Sequence, residues 1–214
     1  TATTINLEGA TLRTDDENGT GNAGSILLDG NVELRTSVSF LTDVAATDGN
    51  VTVTGTVDAN LNTNNQSLSV TAGTGGVDFQ MDVGTTQALE SLIVVSSGST
   101  DVQNVTTRDG GISITGTTIN LDGATLRTDD ESGAGGNAGN VSLSGAVMLN
   151  TNVLILTDVA TGTDGDITLT GSVDGNQTLT LDPGASGNVV AGASMFGAVT
   201  PLAGLFVEQG VNVT

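Results

Sequence analysis

The chain has 214 residues, and its 24 carboxylates against four cations give a formal net charge of −20 at pH 7. The cations are Arg13, Arg35, Arg108 and Arg127, and Lys, His, Cys, Trp and Tyr are absent. Phosphate backbones are held by clustered Lys and Arg, so the composition argues against a nucleic-acid partner. Without Cys there is no disulfide framework, thiol catalysis or cysteine metal site, and no run of about 20 apolar residues exists to cross a membrane as a helix.

Taken in chain order, the first segment is Thr3-Thr4-Ile5-Asn6-Leu7-Glu8-Gly9-Ala10-Thr11-Leu12-Arg13-Thr14-Asp15-Asp16, which leads into an acidic loop ending at Glu17. A short unit follows at Ile26-Leu27-Leu28-Asp29-Gly30, in which alternation puts the first and third residues on one face of a strand and Gly permits a corner. Apolar pairs come next at Val32 and Leu34, then Val38 and Phe40, before a second acidic loop with Asp43 and Asp48. The short unit returns at Val51-Thr52-Val53-Thr54-Gly55. From Leu61 to Val105 the residues Leu68, Val70, Val77, Phe79, Leu92, Val94 and Val102 read as strand positions, but their pattern assigns them to no particular face.

Beyond that interval the text repeats. Thr117-Thr118-Ile119-Asn120-Leu121-Asp122-Gly123-Ala124-Thr125-Leu126-Arg127-Thr128-Asp129-Asp130 restates the opening segment 114 residues on, from Arg13 to Arg127. The unit ending in Gly reappears at Ile112–Gly116, Val141–Gly145 and Ile167–Gly171, and Leu41-Thr42-Asp43-Val44-Ala45 reappears as Leu156-Thr157-Asp158-Val159-Ala160. Self-similarity on this period is the mark of an array whose units bury their faces on their neighbours. Two repeats are expected, 1–110 and 111–214, the second continuous with the first. Because the chain opens and closes inside a repeat, the segment is expected to belong to something longer.

Three short strands per unit, separated by Gly corners and recurring every 25 to 29 residues, predict an all-β parallel β-helix (β-solenoid) of roughly 8–9 coils with little or no α-helix. In this reading Ile26, Val51, Ile112, Val141 and Ile167 each begin a coil. A β-sandwich is the competing fold. It fits less well, because the same five-residue pattern returns at coil spacing, as stacked parallel strands require.

Carboxylates are the most suggestive chemistry. Asp15, Asp16 and Glu17 close one coil and Asp43 with Asp48 the next, while Asp129, Asp130 and Glu131 stand in the same relation to Asp158 and Asp164. Stacking is expected to set these loops side by side on one edge, where gathered oxygens suit calcium. The other reading is that they are solvated charges that discourage lateral aggregation. Arg13 and Arg127 are expected to pair locally with these loops. Catalysis is not expected: a polysaccharide-cleaving β-helix needs acid/base groups in a cleft and aromatic platforms, whereas Phe40, Phe79, Phe196 and Phe206 all sit in apolar patterns that predict burial. No cofactor is required by this reading.

The phrases Gly111-Ile112-Ser113-Ile114-Thr115-Gly116, Thr118-Ile119-Asn120-Leu121-Asp122-Gly123 and Asp166-Ile167-Thr168-Leu169-Thr170-Gly171 resemble the repeat regions of large bacterial surface proteins of the filamentous haemagglutinin type. That resemblance implies a right-handed β-helix, export to the cell surface or medium, and a structural or adhesive role in a secreted fibre. The partners expected are adjoining repeats of the same polypeptide or further copies stacked end to end, with the apolar stretch Met195 to Val213 as a candidate assembly face, together with a host or matrix surface. The alternative is a carbohydrate- or ice-binding solenoid using outward Thr and Ser, of which Thr52 and Thr54, Thr168 and Thr170, and Thr178 and Thr180 are the most regular. That ladder is expected to be broken by Leu27, Asp29, Asp78 and Gln80.

Overall fold

The computed structural model describes residues 4–14, 21–44, 46–60, 65–128, 136–191, 196–210 and 212. Among them there is no helix, and the strands pair in parallel throughout. Alternating β-branched and polar residues account for this: Val51–Val53, Val77–Phe79 and Val153–Leu156 each bury every second side chain. A strand with one buried face needs a neighbour on each edge, and successive coils supply it.

Three ladders result, one per face of the rod. On face A the inward column is Ile5, Val32, Val57, Val83, Val105, Leu126, Ile155, Leu181 and Val207. Face B stacks Val38, Leu68, Leu92, Ile112, Val141, Ile167 and Val189, with Leu12 on Phe40 as the rung before. On face C the column runs Ile26, Val51, Val77, Thr100, Ile119, Val147, Val173 and Phe196. Eight rungs on faces B and C make seven coil-to-coil steps, a rod of about 34 Å at ~4.8 Å per step. The apolar columns merge into one core running from Leu7 to Val189.

The described residues 65–105 of the interval from Leu61 to Val105 are now placed. Its pattern is opaque because face A carries no regular strand there: Val83 is an isolated bridge to Val57 and Val105, and Leu89 pairs with Thr107 before the chain passes to face B. The strand Val105–Leu121, 17 residues long, turns through all three faces and crosses position 110 without a break.

One expectation about register fails. Ile26 and Val51 lie on face C, whereas Ile112, Val141 and Ile167 lie on face B. Four full turns carry Ile5 to Val105, and two further faces reach Ile119, its counterpart in the second repeat. One repeat therefore takes four and two-thirds turns, and every position of the second repeat sits one face away from its counterpart in the first. One repeat does not contain a whole number of coils, which no local pattern reveals.

Candidate functional site

The strands that lead into the acidic loops end in a clasp built on a threonine, buried at Thr42, Thr128 and Thr157. Thr42 Oγ1 donates to the Gly49 carbonyl at 2.6 Å while the Gly49 amide donates to the Thr42 carbonyl at 3.1 Å. Thr157 and Gly165 repeat this at 2.6 and 3.0 Å. Thr128 donates to Gly139 at 2.6 Å, and Thr14 to Gly24. Closing the neck in this way satisfies buried polar groups and lets residues 43–48 and 158–164 depart from the coil and return without disturbing its register.

Within those loops Asp48 and Asp164 act as staples to the following coil. Asp48 Oδ1 accepts from the Val44 amide at 2.7 Å, and its Oδ2 accepts from the Thr74 amide at 2.6 Å and the Thr74 hydroxyl at 2.7 Å. Asp164 does the same with the Val159 amide at 2.9 Å and with the Ser186 amide and hydroxyl, both at 2.8 Å. These bonds favour the charged form. The Thr74 amide, then the Val44 amide and the Thr74 hydroxyl hold Asp48 below the usual carboxylate range. Partial burial pushes Asp164 up, but the Val159 and Ser186 donors, with a hydrogen bond to Asp158, outweigh it and the net shift is downward. Each staple closes over a glycine, Gly73 at φ +52° and Gly184 at φ +71°, where an added Cβ would strike the carboxylate above as well as strain the backbone.

Of the other proposed ligands, Asp43 lies over Gly73 beside Asp48. Asp15, Asp16, Glu17, Asp129, Asp130 and Glu131 lie outside the described residues. Within each repeat the strands leading into these loops stack, Thr11–Arg13 on Val38–Leu41 and Thr125–Arg127 on Val153–Leu156. Between repeats they do not share an edge: Asp43 and Asp48 follow a face B strand, Asp158 and Asp164 a face A strand, so the one-face offset puts them on different corners of the rod. Among the described residues no group of three or more His, Cys, Asp or Glu is arranged to hold a metal ion.

Sequence reading missed a second set of staples. Asp58 accepts from the Thr86 and Gln87 amides at 3.0 and 3.1 Å, and Asp174, its counterpart, from Val199 and Thr200 at 2.8 and 3.0 Å. Asp174 is buried and its carboxyl is held low by the Val199 and Thr200 amides. Asn140, Asp166, Asn188 and Asn212 form a column of the same kind along one corner. The signal was available in the pairing of Asp58 with Asp174 across the repeats. Arg35 also went unremarked, though it pairs with Glu8 of the preceding coil at 3.4 Å and Glu33 at 3.2 Å. Exposed as they are, such pairs contribute about 0–1 kcal/mol each.

The outward Thr pairs divide among the faces. Thr52 and Thr54 lie on face C between Leu27 with Asp29 and the Asp78 rung, so that ladder is broken as expected. Thr168 and Thr170 belong instead to face B. There one outward column reads Ser39, Ser69, Ile93, Ser113, Ser142, Thr168 and Val190, and the other Leu41, Thr71, Val95, Thr115, Ser144 and Thr170, each residue in strict register with the next. Thr11 and Arg13 precede Ser39 and Leu41 on the first rung, and beyond Arg13 no charged side chain interrupts either column. Phe40 and Phe79 are buried, but Phe206 is 56% exposed on the last rung of face A, against expectation, because its position there points outward. No protein-family model, curated protein or solved structure matches the chain.

Proposed function

We propose that the chain is a structural segment of a secreted bacterial surface fibre or extracellular filament, extended by stacking further coils on its own. The observation that carries this is the stacking itself: parallel ladders on three faces enclose one continuous apolar core from Leu7 to Val189. A rod built this way lengthens by adding a coil along a strand edge, whether from adjoining repeats of the same polypeptide or from another copy. Leu205 and Val207 continue the inward columns of face A, 41% and 38% exposed. The resemblance to haemagglutinin-type repeats supports placement at the cell surface or in the medium and an adhesive role there.

Electron microscopy of the purified chain, with and without millimolar calcium, tests this reading. Filaments with an axial repeat near the rod length are expected, and the double variant Leu205→Asp, Val207→Asp should abolish them. Filaments that need calcium would bring the acidic loops into assembly. Short single rods under all conditions would overturn assembly by separate copies and leave a spacer inside a larger polypeptide.

A further inference from the structure

We propose that face B is a pairing surface for a second copy of this chain, with two rods lying side by side and antiparallel. The first support is that neutrality follows the face and not the repeat position. Asp29 on face C has Ser144 as its counterpart on face B, and Asp78 on face C has Val190. In the other direction, Thr71 on face B corresponds to Asp182 on face A. At these three positions the carboxylate is absent on face B, while Asp166, the counterpart of Asn50, stands at the corner beside that face.

The second support is electrostatic. Each copy has a net charge of −20, so two copies repel wherever carboxylates would meet. Face B is the surface on which they can approach without burying a charge, since its uncharged rungs run unbroken from Ser39 to Val190. The third is shape. Ile93 and Val95, 42% and 45% exposed, form the bulky rung of a face whose other rungs are mostly Ser and Thr, with Leu41 and Val190 at its two ends. A two-fold axis lying across the rod at Ser113 and Thr115, the middle of the uncharged span, sets Ile93 and Val95 of one copy over Ser142 and Ser144 of the other. Both partners share one in-register period of ~4.8 Å, so the faces mesh along their length.

The face measures about 30 Å by about 15 Å, roughly half of the ~800 Å² per partner typical of stable complexes. Pairing should therefore be weak for one segment and strengthen when fibres multiply it. It is independent of end-to-end stacking, which uses strand edges and grows without limit, whereas face pairing stops at two.

Sedimentation equilibrium up to about 0.5 mM, in about 20 mM and about 300 mM salt, tests the proposal in the Leu205→Asp, Val207→Asp background, where end-to-end growth is blocked. A monomer–dimer equilibrium is expected, tighter at the higher salt because screening relieves the repulsion between copies. Thr168→Asp and Ser142→Asp should each weaken pairing at least about tenfold. Thr52→Asp and Leu27→Asp place the same charge at the matching positions of the first repeat, on face C, and should leave it within about twofold. Circular dichroism of all four checks folding, and two independent face B variants guard against one of them unfolding. A chain that stays monomeric throughout, or face C variants that weaken pairing as much as face B variants, would overturn the proposal. So would a monomer retained through face B on an insoluble polysaccharide, since the face would then serve another partner.

Discussion

Threonine has two opposite roles in this core. Thr157 is fully buried but its hydroxyl reaches the Gly165 carbonyl, which would otherwise be left unpaired at the neck of the loop. Thr100 sits in the inward column of face C between Val77 and Ile119, equally buried, and its Oγ1 has no hydrogen-bond partner. Burying a hydroxyl without a partner costs about 1–3 kcal/mol, while removing one side of a buried bond orphans the other. The same substitution should thus act with opposite sign at the two sites. Thr157→Val is expected to destabilise the protein by about 1–2 kcal/mol and Thr100→Val to stabilise it by a similar amount. Shifts of the urea midpoint at constant slope would check both; two shifts of the same sign would contradict this account.

At the scale of the element, what holds one coil to the next beyond the ladder itself is the set of corner carboxylates. Asp48, Asp164 and Asp174 are ionised acceptors of backbone donors from the following coil, and their carboxyls lie below the ordinary range. A carboxyl depressed in the folded state contributes stability that is present above its unfolded value and is lost as pH falls through the lower folded value. Asp48→Asn with Asp164→Asn removes the charge and one acceptor oxygen from each staple. Its melting temperature should fall well below that of the parent at neutral pH, and the gap should close on acidification through the bottom of the carboxylate range. Comparing the two proteins cancels the general effect of titrating the other carboxylates. A gap that does not change with pH would show that the staples act by shape and not by charge.

Across the whole molecule, stability is the balance between a continuous apolar core and the self-repulsion of a −20 rod. Most carboxylates stand at corners and loops in water, where screening acts over about 10 Å at 0.1 M salt. Raising salt from about 10 mM to about 200 mM should therefore increase the melting temperature, with most of the gain complete by about 100 mM. Calorimetric scans at several salt concentrations would detect this. A melting temperature indifferent to salt would mean that the ordered geometry of the charges already offsets their repulsion. The same balance explains the surfaces: corners that carry Asp keep rods apart, while face B, uncharged from Ser69 to Val190, is where contact with another copy is least opposed.

The sequence by itself determined the all-β class, the three-strand coil and the identity of the core. Alternation between buried and exposed residues is a property of single strands, and Gly marks the corners whatever the neighbours are. It also showed the candidate loops, since Asp48 and Asp164 recur at matching places in the two repeats. It did not reveal that the second repeat is turned by one face, because that depends on how many faces the interval up to Val105 fills, where an isolated bridge at Val83 and the paired Leu89 take the place of a regular strand. Thr52 and Thr168 look equivalent in sequence and lie on different faces of the rod. Only the stacked structure decides which outward residues share a surface, because a column is assembled from residues 20 to 30 positions apart and its membership depends on every coil before it.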